Sequence, residues 1–152
     1  MNKPKICLVT SPGGHLYKTF LLKPWWSKYK RFWVTSKNEK HFNFLKNEKI
    51  YYGYFPENRN IVNFLKNLIL ALKILKKEKP NIIFSTGAGI APPFFLIAKI
   101  FGIKSIFLET FILSNQTTLS GKIIHFFSDL FLVQNRNLLK KYPKAKFAGS
   151  IL

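Results

Sequence analysis

Two glycine-rich turns carry the residues of this sequence that are best suited to chemistry. Residues 11–16 read Ser-Pro-Gly-Gly-His-Leu and follow an apolar run, and residues 85–89 read Ser-Thr-Gly-Ala-Gly after another apolar run. Glycine adopts backbone angles that a side chain forbids, so each turn can present amide groups to an anion or to sugar oxygens. Turns of this kind also occur for packing reasons alone, and both interpretations stay open.

His15 and Glu109 are the candidates for a general base, and Glu109 is slightly preferred for its expected position on the rim. His15 begins the segment after the first glycine pair, and Glu109 ends an apolar run at 104–109. Both positions fall at the carboxyl edge of a parallel sheet, where open α/β sheets bind ligands. An imidazole or a carboxylate there can accept a proton from an attacking hydroxyl. The alternatives are a polar rim residue for His15 and an ion pair or helix-cap acceptor for Glu109; we expect both side chains on the rim rather than in the core.

The elements that position these residues alternate between strand and helix. Apolar runs predict strands at 5–10, 32–35, 49–54, 82–84, 104–109, 129–134 and 145–148. Helices are predicted at 15–23, 38–47, 61–79, 92–101, 119–127 and 137–142, with Asn60 as the cap of the longest. This alternation with short connections predicts an α/β fold, a Rossmann-like parallel sheet with helices on both faces, in a single domain spanning residues 1–152.

The charge balance points to an anionic partner. The chain has 25 basic and 6 acidic residues, which gives a net charge of +19. An AT-rich gene accounts for the abundant lysine but not for the scarcity of acids, so a nucleic acid, a membrane surface or an acidic protein is indicated. We expect no signal peptide, no apolar run long enough to span a bilayer, and a buried Cys7 in a reducing compartment.

Aromatic and basic side chains alternate closely in residues 25–33. Trp, Tyr and Lys favour the headgroup region of a membrane, so this stretch predicts an interfacial patch on an anionic membrane surface. The alternative is that the tryptophans cover an edge of the sheet. The residues predicted to form the patch are Trp25, Trp26, Lys28, Lys30, Arg31 and Trp33.

The longest predicted helix, 61–79, is apolar over more of its circumference than one sheet contact requires. Its polar stripe consists of Asn63, Lys66, Asn67, Lys73 and Lys77. Either a second surface covers the remaining apolar side or that side lies on lipid.

Several familiar sites are missing from the sequence. The first glycine turn does not read Gly-x-Gly-x-x-Gly, and there is no phosphate-binding Gly-Lys-Ser/Thr loop, Cys/His metal cluster or Gly-x-Ser-x-Gly elbow. No pair of close carboxylates suggests a glycosidase. We therefore expect no metal and no cofactor. A basic scaffold or nucleic-acid-binding domain is the alternative class, but no nucleic-acid-binding signature is present.

Taken together, the motifs resemble one family. They are residues 11–16, 31–35, 56–60, 85–89, Glu109, 129–134, 142–143 and 149–150, in that order. The chain resembles the PssD-type proteins of bacterial capsule and exopolysaccharide synthesis, relatives of the membrane-recruiting subunit of the two-part UDP-N-acetylglucosamine transferase of N-glycan assembly. One departure is visible: the family places a basic residue shortly after the glutamate, where this chain has Ile112 and Leu113.

The resemblance implies the acceptor-side half of a GT-B glycosyltransferase, similar to the N-terminal half of MurG. A separate donor-binding polypeptide would complete a heterodimer and hold the UDP-sugar. The acceptor would be a sugar on a polyprenyl diphosphate, and the protein would sit peripherally on the cytoplasmic face of the cell membrane. The residues expected to line the substrate wall are Gly13, Gly14, Asn58, Arg59, Thr86, Gly87, Ala88 and Gly89.

Overall fold

The computed structural model describes residues 3–37, 43, 45–110 and 116–150. In these residues seven strands form one sheet in the order β3-β2-β1-β4-β5-β6-β7. The strands are β1 (Lys5–Thr10), β2 (Lys30–Thr35), β3 (Ile50–Tyr52), β4 (Ile82–Gly87), β5 (Lys104–Glu109), β6 (Leu130–Val133) and β7 (Lys146–Phe147). Every neighbouring pair is parallel. The predicted Rossmann-like parallel sheet is confirmed.

Helices connect the strands. They are α1 (Gly14–Leu21), α2 (Lys23–Trp26), α3 (Ile61–Glu78), α4 (Ala91–Ile100) and α5 (Leu119–Ile124), with a short 3-10 helix at Arg136–Lys140. The predicted cap is confirmed, because the Asn60 side chain accepts a hydrogen bond from the Asn63 amide. The helix predicted at 38–47 falls largely on residues outside the described ranges.

The two faces of the sheet pack against different helices. On one face, α3 and α4 cover strand residues such as Val9, Ile83 and Phe107. On the other face, α1 and α2 pack on Leu8 and Phe84. Successive residues of a strand point to opposite faces, so each central strand contributes to both cores. This arrangement directs the carboxyl ends of β1, β4 and β5 to one edge, where the predicted site residues lie.

Trp26 and Trp33 belong to the core, and the prediction that they contact a membrane was wrong. The two indoles are 2% and 0% exposed and meet edge to face, with ring centroids 5.3 Å apart. Their N–H groups donate to the Thr19 carbonyl oxygen and to Glu48. The Arg31 guanidinium pairs with Glu48 and lies over the Trp26 ring. The tryptophans therefore cover the sheet, as in the alternative interpretation.

The rest of the predicted patch is divided. Trp25 is half-buried, and the centroid of its ring lies 5.1 Å from the centroid of the Phe84 ring. Lys28 and Lys30 are exposed. The stretch 25–33 therefore exposes Lys28 and Lys30, and it exposes Trp25, Tyr29 and Arg31 only in part, which is less than the sequence suggested.

α3 has a wide apolar surface that the rest of the described chain leaves exposed. Its exposed apolar residues are Ile61, Val62, Leu65, Ile69 and Leu72. Asn67, which was assigned to the polar stripe, is buried; its amide instead bonds to the backbone N–H and carbonyl of Tyr54. Among the described residues no helix is both long and apolar enough to cross a bilayer.

Candidate functional site

The two glycine turns meet at the carboxyl edge of the sheet. The Ser11 amide donates to the Gly87 carbonyl oxygen at 3.0 Å, and the Thr86 hydroxyl donates to the His15 carbonyl oxygen at 2.8 Å. The Thr86 and Thr19 hydroxyls are hydrogen-bonded to each other at 2.9 Å. These bonds fix the start of α1 against the end of β4, so the turns form one structural unit.

His15 is held in the tautomer that a general base requires. Its Nδ1 lies 2.7 Å from the Thr86 carbonyl oxygen. A carbonyl only accepts, so Nδ1 carries the proton and Nε2 keeps its lone pair. Burial lowers the pKa of His15, and the bond to Thr86 opposes that shift only in part. The imidazole is therefore neutral near pH 7 and can take up a proton at Nε2.

Gly87 is required for this arrangement. Its φ is +110°, in the region that side chains disfavour, and a Cβ at this position would lie 2.9 Å from Cε1 of His15. The His15 ring thus rests directly on the backbone of the second turn.

Glu109 is buried at 2% exposure, so the expectation that it lies on the rim was wrong. Its Oε2 accepts hydrogen bonds from the Thr118 hydroxyl at 3.0 Å and from the Tyr142 hydroxyl at 3.3 Å. Thr118 in turn caps α5 by accepting from the Gly121 amide. Burial raises the pKa of Glu109 to about 7, although the two hydrogen bonds work in the opposite direction. In these contacts Glu109 is an acceptor that holds the start of α5, which was the alternative interpretation.

A cavity of about 700 Å³ opens between the first turns of α3, α4 and α5. Polar lining residues come from the loop before α3, with Ala88 and Gly89 of the second glycine turn beside them. Apolar lining residues are Ile61, Phe64, Leu119 and Ile123. A cavity lined by both polar and apolar side chains suits an amphiphilic ligand, whose headgroup and hydrocarbon need different surroundings.

The predicted substrate residues fall into three groups. Four of them line the cavity: Asn58, Arg59, Ala88 and Gly89. Thr86 and Gly87 are buried beneath His15 and support it. Gly13 and Gly14 are exposed at the start of α1 and do not line this cavity.

The second turn presents fewer open amides than its sequence suggests. The Ala88 amide donates to the Ser11 hydroxyl at 3.0 Å, and the Ala91 amide donates to the Ala88 carbonyl oxygen. Pro92 and Pro93 have no N–H at all. Binding at the start of α4 therefore depends mainly on the side chains that surround it.

Glu57 is a site residue that the sequence reasoning missed. It lines the cavity beside Asn58 and Arg59, and its Oε1 accepts a hydrogen bond of 2.6 Å from the Ser11 hydroxyl. The scarcity of acidic residues could have identified it from the sequence. Glu57 is one of six acids in a chain of net charge +19, and it lies in a loop of polar residues.

These features together define one class of protein: a Rossmann-like α/β domain with a seven-stranded parallel sheet and a cavity at the carboxyl edge of that sheet. Residues 27–151 match the family described as "Oligosaccharide biosynthesis protein Alg14 like". The chain belongs to this family.

Relatives with curated names agree with this assignment. The human "UDP-N-acetylglucosamine transferase subunit ALG14" is 30% identical over 94 residues, which cover 58% of this chain and 44% of the human protein. A Staphylococcus carnosus "UDP-N-acetylglucosamine--N-acetylmuramyl-(pentapeptide) pyrophosphoryl-undecaprenol N-acetylglucosamine transferase" is 28% identical over 137 residues, covering 80% of this chain and 37% of that enzyme. The chain spans less than half the length of both relatives.

Solved structures share the fold. Acinetobacter baumannii MurG superposes with a TM-score of 0.73 at 16% identity, over 97% of this chain and 44% of that one. A UDP-N-acetylglucosamine 2-epimerase superposes with a TM-score of 0.78 at 16% identity, over 98% of this chain and 49% of that one. At this identity the likeness establishes the architecture, and function rests on the site itself.

Proposed function

We propose that this chain is the acceptor-binding subunit of a two-part glycosyltransferase. The reaction moves a sugar from a UDP-sugar to a saccharide on a polyprenyl diphosphate, in bacterial capsule or exopolysaccharide synthesis. A donor-binding subunit supplies the UDP-sugar, and this chain is inactive without it. The observation that carries the proposal is the His15 ring, oriented by its bond to the Thr86 carbonyl oxygen, at the same sheet edge as a cavity suited to an amphiphile.

In this proposal His15 is the general base, in preference to Glu109. The acceptor hydroxyl attacks the anomeric carbon of the donor sugar, and Nε2 of His15 takes the hydroxyl proton. A new glycosidic bond forms while the bond from the anomeric carbon to the diphosphate breaks with inversion, and UDP leaves. Glu109 is too deeply buried for direct contact, and its bonds to Thr118 and Tyr142 position the start of α5 beside the cavity.

The test is sugar transfer by the purified chain with and without its donor-binding partner. The partner is sought as the product of a neighbouring gene that encodes a second Rossmann-like domain. With a lipid-linked acceptor and UDP-sugars, turnover is expected only from the complex. Robust turnover by the single chain would overturn the two-part proposal, and no turnover by a stable complex with any UDP-hexose would overturn the transferase proposal.

We further propose that the protein contacts the membrane peripherally through the exposed apolar surface of α3 and its neighbours, rather than through residues 25–33. Leu65 and Ile69 are each more than half exposed on α3, and Phe126 is 78% exposed just beyond α5. Apolar groups next to the cavity would let a lipid-linked acceptor enter from the bilayer. The surrounding lysines would add attraction to anionic lipid, each contributing about 1 kcal/mol near the surface.

Vesicle sedimentation separates the two surfaces. Replacing Leu65 and Ile69 with Gln is expected to weaken binding to both phosphatidylcholine and phosphatidylglycerol vesicles, because the apolar contribution does not depend on lipid charge. Replacing Lys28 and Lys30 with Gln is the matched control and is expected to have a small effect, confined to the anionic vesicles. If the lysine variant loses more binding than the α3 variant, the membrane surface lies at 25–33. The assay is repeated on the complex, because a partner seated on α3 would abolish the difference.

A further inference from the structure

Glu57 differs from the other described acids in how its carboxylate is used. Glu48, Glu78 and Asp129 are each paired with a lysine or arginine, and Glu109 is buried under two hydroxyl donors. Within the described part of the chain, Glu57 has one hydrogen bond, from Ser11 to Oε1, and no cation pairs with it. An acid without a cationic partner is unexpected in a chain of net charge +19.

The surrounding backbone is shaped to hold Glu57 at the cavity wall. The Ser11 hydroxyl donates to Oε1 and accepts from the Ala88 amide, so it links the carboxylate to both glycine turns. A Cβ on Gly89 would lie 2.7 Å from Cγ of Glu57 and 3.0 Å from its carbonyl oxygen. Only glycine at position 89 allows the loop to come this close. Within the described residues the side chain is thus fixed through Oε1, and Oε2 can accept a hydrogen bond from a ligand.

We propose that Glu57 recognises the acceptor sugar, with Oε2 accepting a hydrogen bond from a sugar hydroxyl or amide N–H in the cavity. A carboxylate oxygen accepts such bonds well and is not compatible with the phosphate part of the same ligand. The diphosphate is therefore assigned to the exposed Arg59, which lines the same cavity, and the hydrocarbon to the apolar lining residues. This inference rests on the proposed function and adds a residue that determines sugar specificity.

The experiment measures binding of short lipid probes to the full chain by calorimetry. The probes are farnesyl diphosphate and farnesyl diphosphates that carry one N-acetylglucosamine, glucose or galactose. The key variant is Glu57→Gln, since its amide oxygen can still accept from Ser11 while an N–H₂ group replaces Oε2. The control is Ser11→Ala, which removes the link between the turns but keeps the carboxylate.

Wild type is expected to bind at least one sugar-bearing probe more tightly than farnesyl diphosphate. Glu57→Gln is expected to weaken the binding of that probe about tenfold or more, because the sugar contact is lost. The affinity for farnesyl diphosphate, which has no sugar, is expected to stay unchanged. Ser11→Ala is expected to weaken all probes together, since it loosens the whole wall.

Other outcomes overturn the inference. If Glu57→Gln affects sugar-bearing and sugar-free probes equally, or affects neither, Glu57 is only a structural link between the turns. If wild type binds the probes without regard to the sugar, the acceptor function stands and the specificity role of Glu57 falls. If wild type binds none of the probes, the proposed acceptor function itself fails.

Discussion

Two buried glutamates lie at opposite edges of the sheet, and their surroundings shift their pKa values in opposite directions. Glu78 ends α3 at the amino edge, where Oε1 accepts from Lys49 at 2.6 Å and from Tyr51 at 2.5 Å, and Oε2 accepts from Lys5 at 3.2 Å. Burial alone would raise the pKa of Glu78, but these bonds outweigh it and lower the pKa to about 2. The donors to Glu109, at the carboxyl edge, are two hydroxyl groups among the described residues, and burial raises its pKa to about 7.

The two edges of the sheet differ in how completely their buried polar groups are hydrogen-bonded. At the amino edge the ionised Glu78 joins α3 to β1 and β3 by bonds that are complete within the chain. At the carboxyl edge, the hydrogen bonds within the described residues engage Nδ1 of His15 and Oε1 of Glu57, and they leave Nε2 of His15 and Oε2 of Glu57 able to accept further bonds. Groups that are costly to bury and incompletely paired tend to cluster at functional sites. In the proposed function, the amino edge therefore stabilises the fold and the carboxyl edge binds the ligand.

Replacing each glutamate with glutamine is expected to give the largest difference in unfolding free energy between the two edges. Glu78→Gln should lower the free energy of unfolding at pH 7 by about 3 kcal/mol, because an amide cannot satisfy donors that approach both oxygens. Urea unfolding measures this loss. Glu78 is ionised in the folded state above its folded pKa, so the difference from wild type should shrink as the pH falls from about 4.5 to about 2. A loss below 1 kcal/mol at pH 7 would contradict the structural role.

Glu109→Gln should instead change the pH dependence of stability. The folded-state pKa of about 7 lies above the ordinary 4.5, so the contribution of Glu109 to stability is most favourable below pH 4.5 and falls by about 3 kcal/mol as the pH rises to 7 and above. Both hydrogen bonds go to Oε2, so the amide oxygen of Gln can accept them. The variant should gain stability relative to wild type between pH 5 and pH 8, as measured by urea unfolding. If the unfolding free energies of the two proteins depend on pH in the same way, burial does not destabilise the ionised form of Glu109.

Tyr142→Phe should have a smaller effect at the same edge. This substitution removes the hydrogen bond from the Tyr142 hydroxyl to Glu109. It keeps the aromatic ring, whose centroid lies 4.6 Å from that of Phe131. We expect a loss of about 1 kcal/mol at pH 8, where Glu109 is ionised, and a smaller loss at pH 5. Thermal unfolding at the two pH values measures the difference. An equal loss at both values would separate Tyr142 from the ionisation of Glu109.

The sequence predicted the sheet well because apolar runs bounded by turns mark buried parallel strands. β1 and β5 begin and end at the predicted residues, and Asn60 caps α3 as expected. The errors concern which way a side chain points. Nothing local to Trp33 reveals that both faces of β2 are covered, and nothing local to Asn67 reveals that the Tyr54 backbone needs an amide partner. Those facts depend on contacts between residues far apart in the chain.

The site was predicted in part for the same reason. The glycine turns identify the carboxyl edge, and four residues placed there from the sequence line the cavity. The burial of Glu109 depends on α5 folding over it, and the role of Glu57 depends on Ser11, which lies 46 positions away. Neither the burial of Glu109 nor the contact between Glu57 and Ser11 can be inferred from the spacing of residues along the chain.

The most direct test of this account compares turnover and stability for one variant at each edge. His15→Asn keeps a donor for the Thr86 carbonyl and removes Nε2, while Glu78→Gln weakens the amino edge. In the complex with its donor-binding partner, under conditions where all the proteins are folded, His15→Asn should lower kcat about 100-fold or more with little change in stability. Glu78→Gln should lose stability and keep its kcat within about twofold. A His15→Asn complex that retains wild-type turnover, or a folded Glu78→Gln complex that loses turnover to the same extent, would contradict the assignment of chemistry to the carboxyl edge.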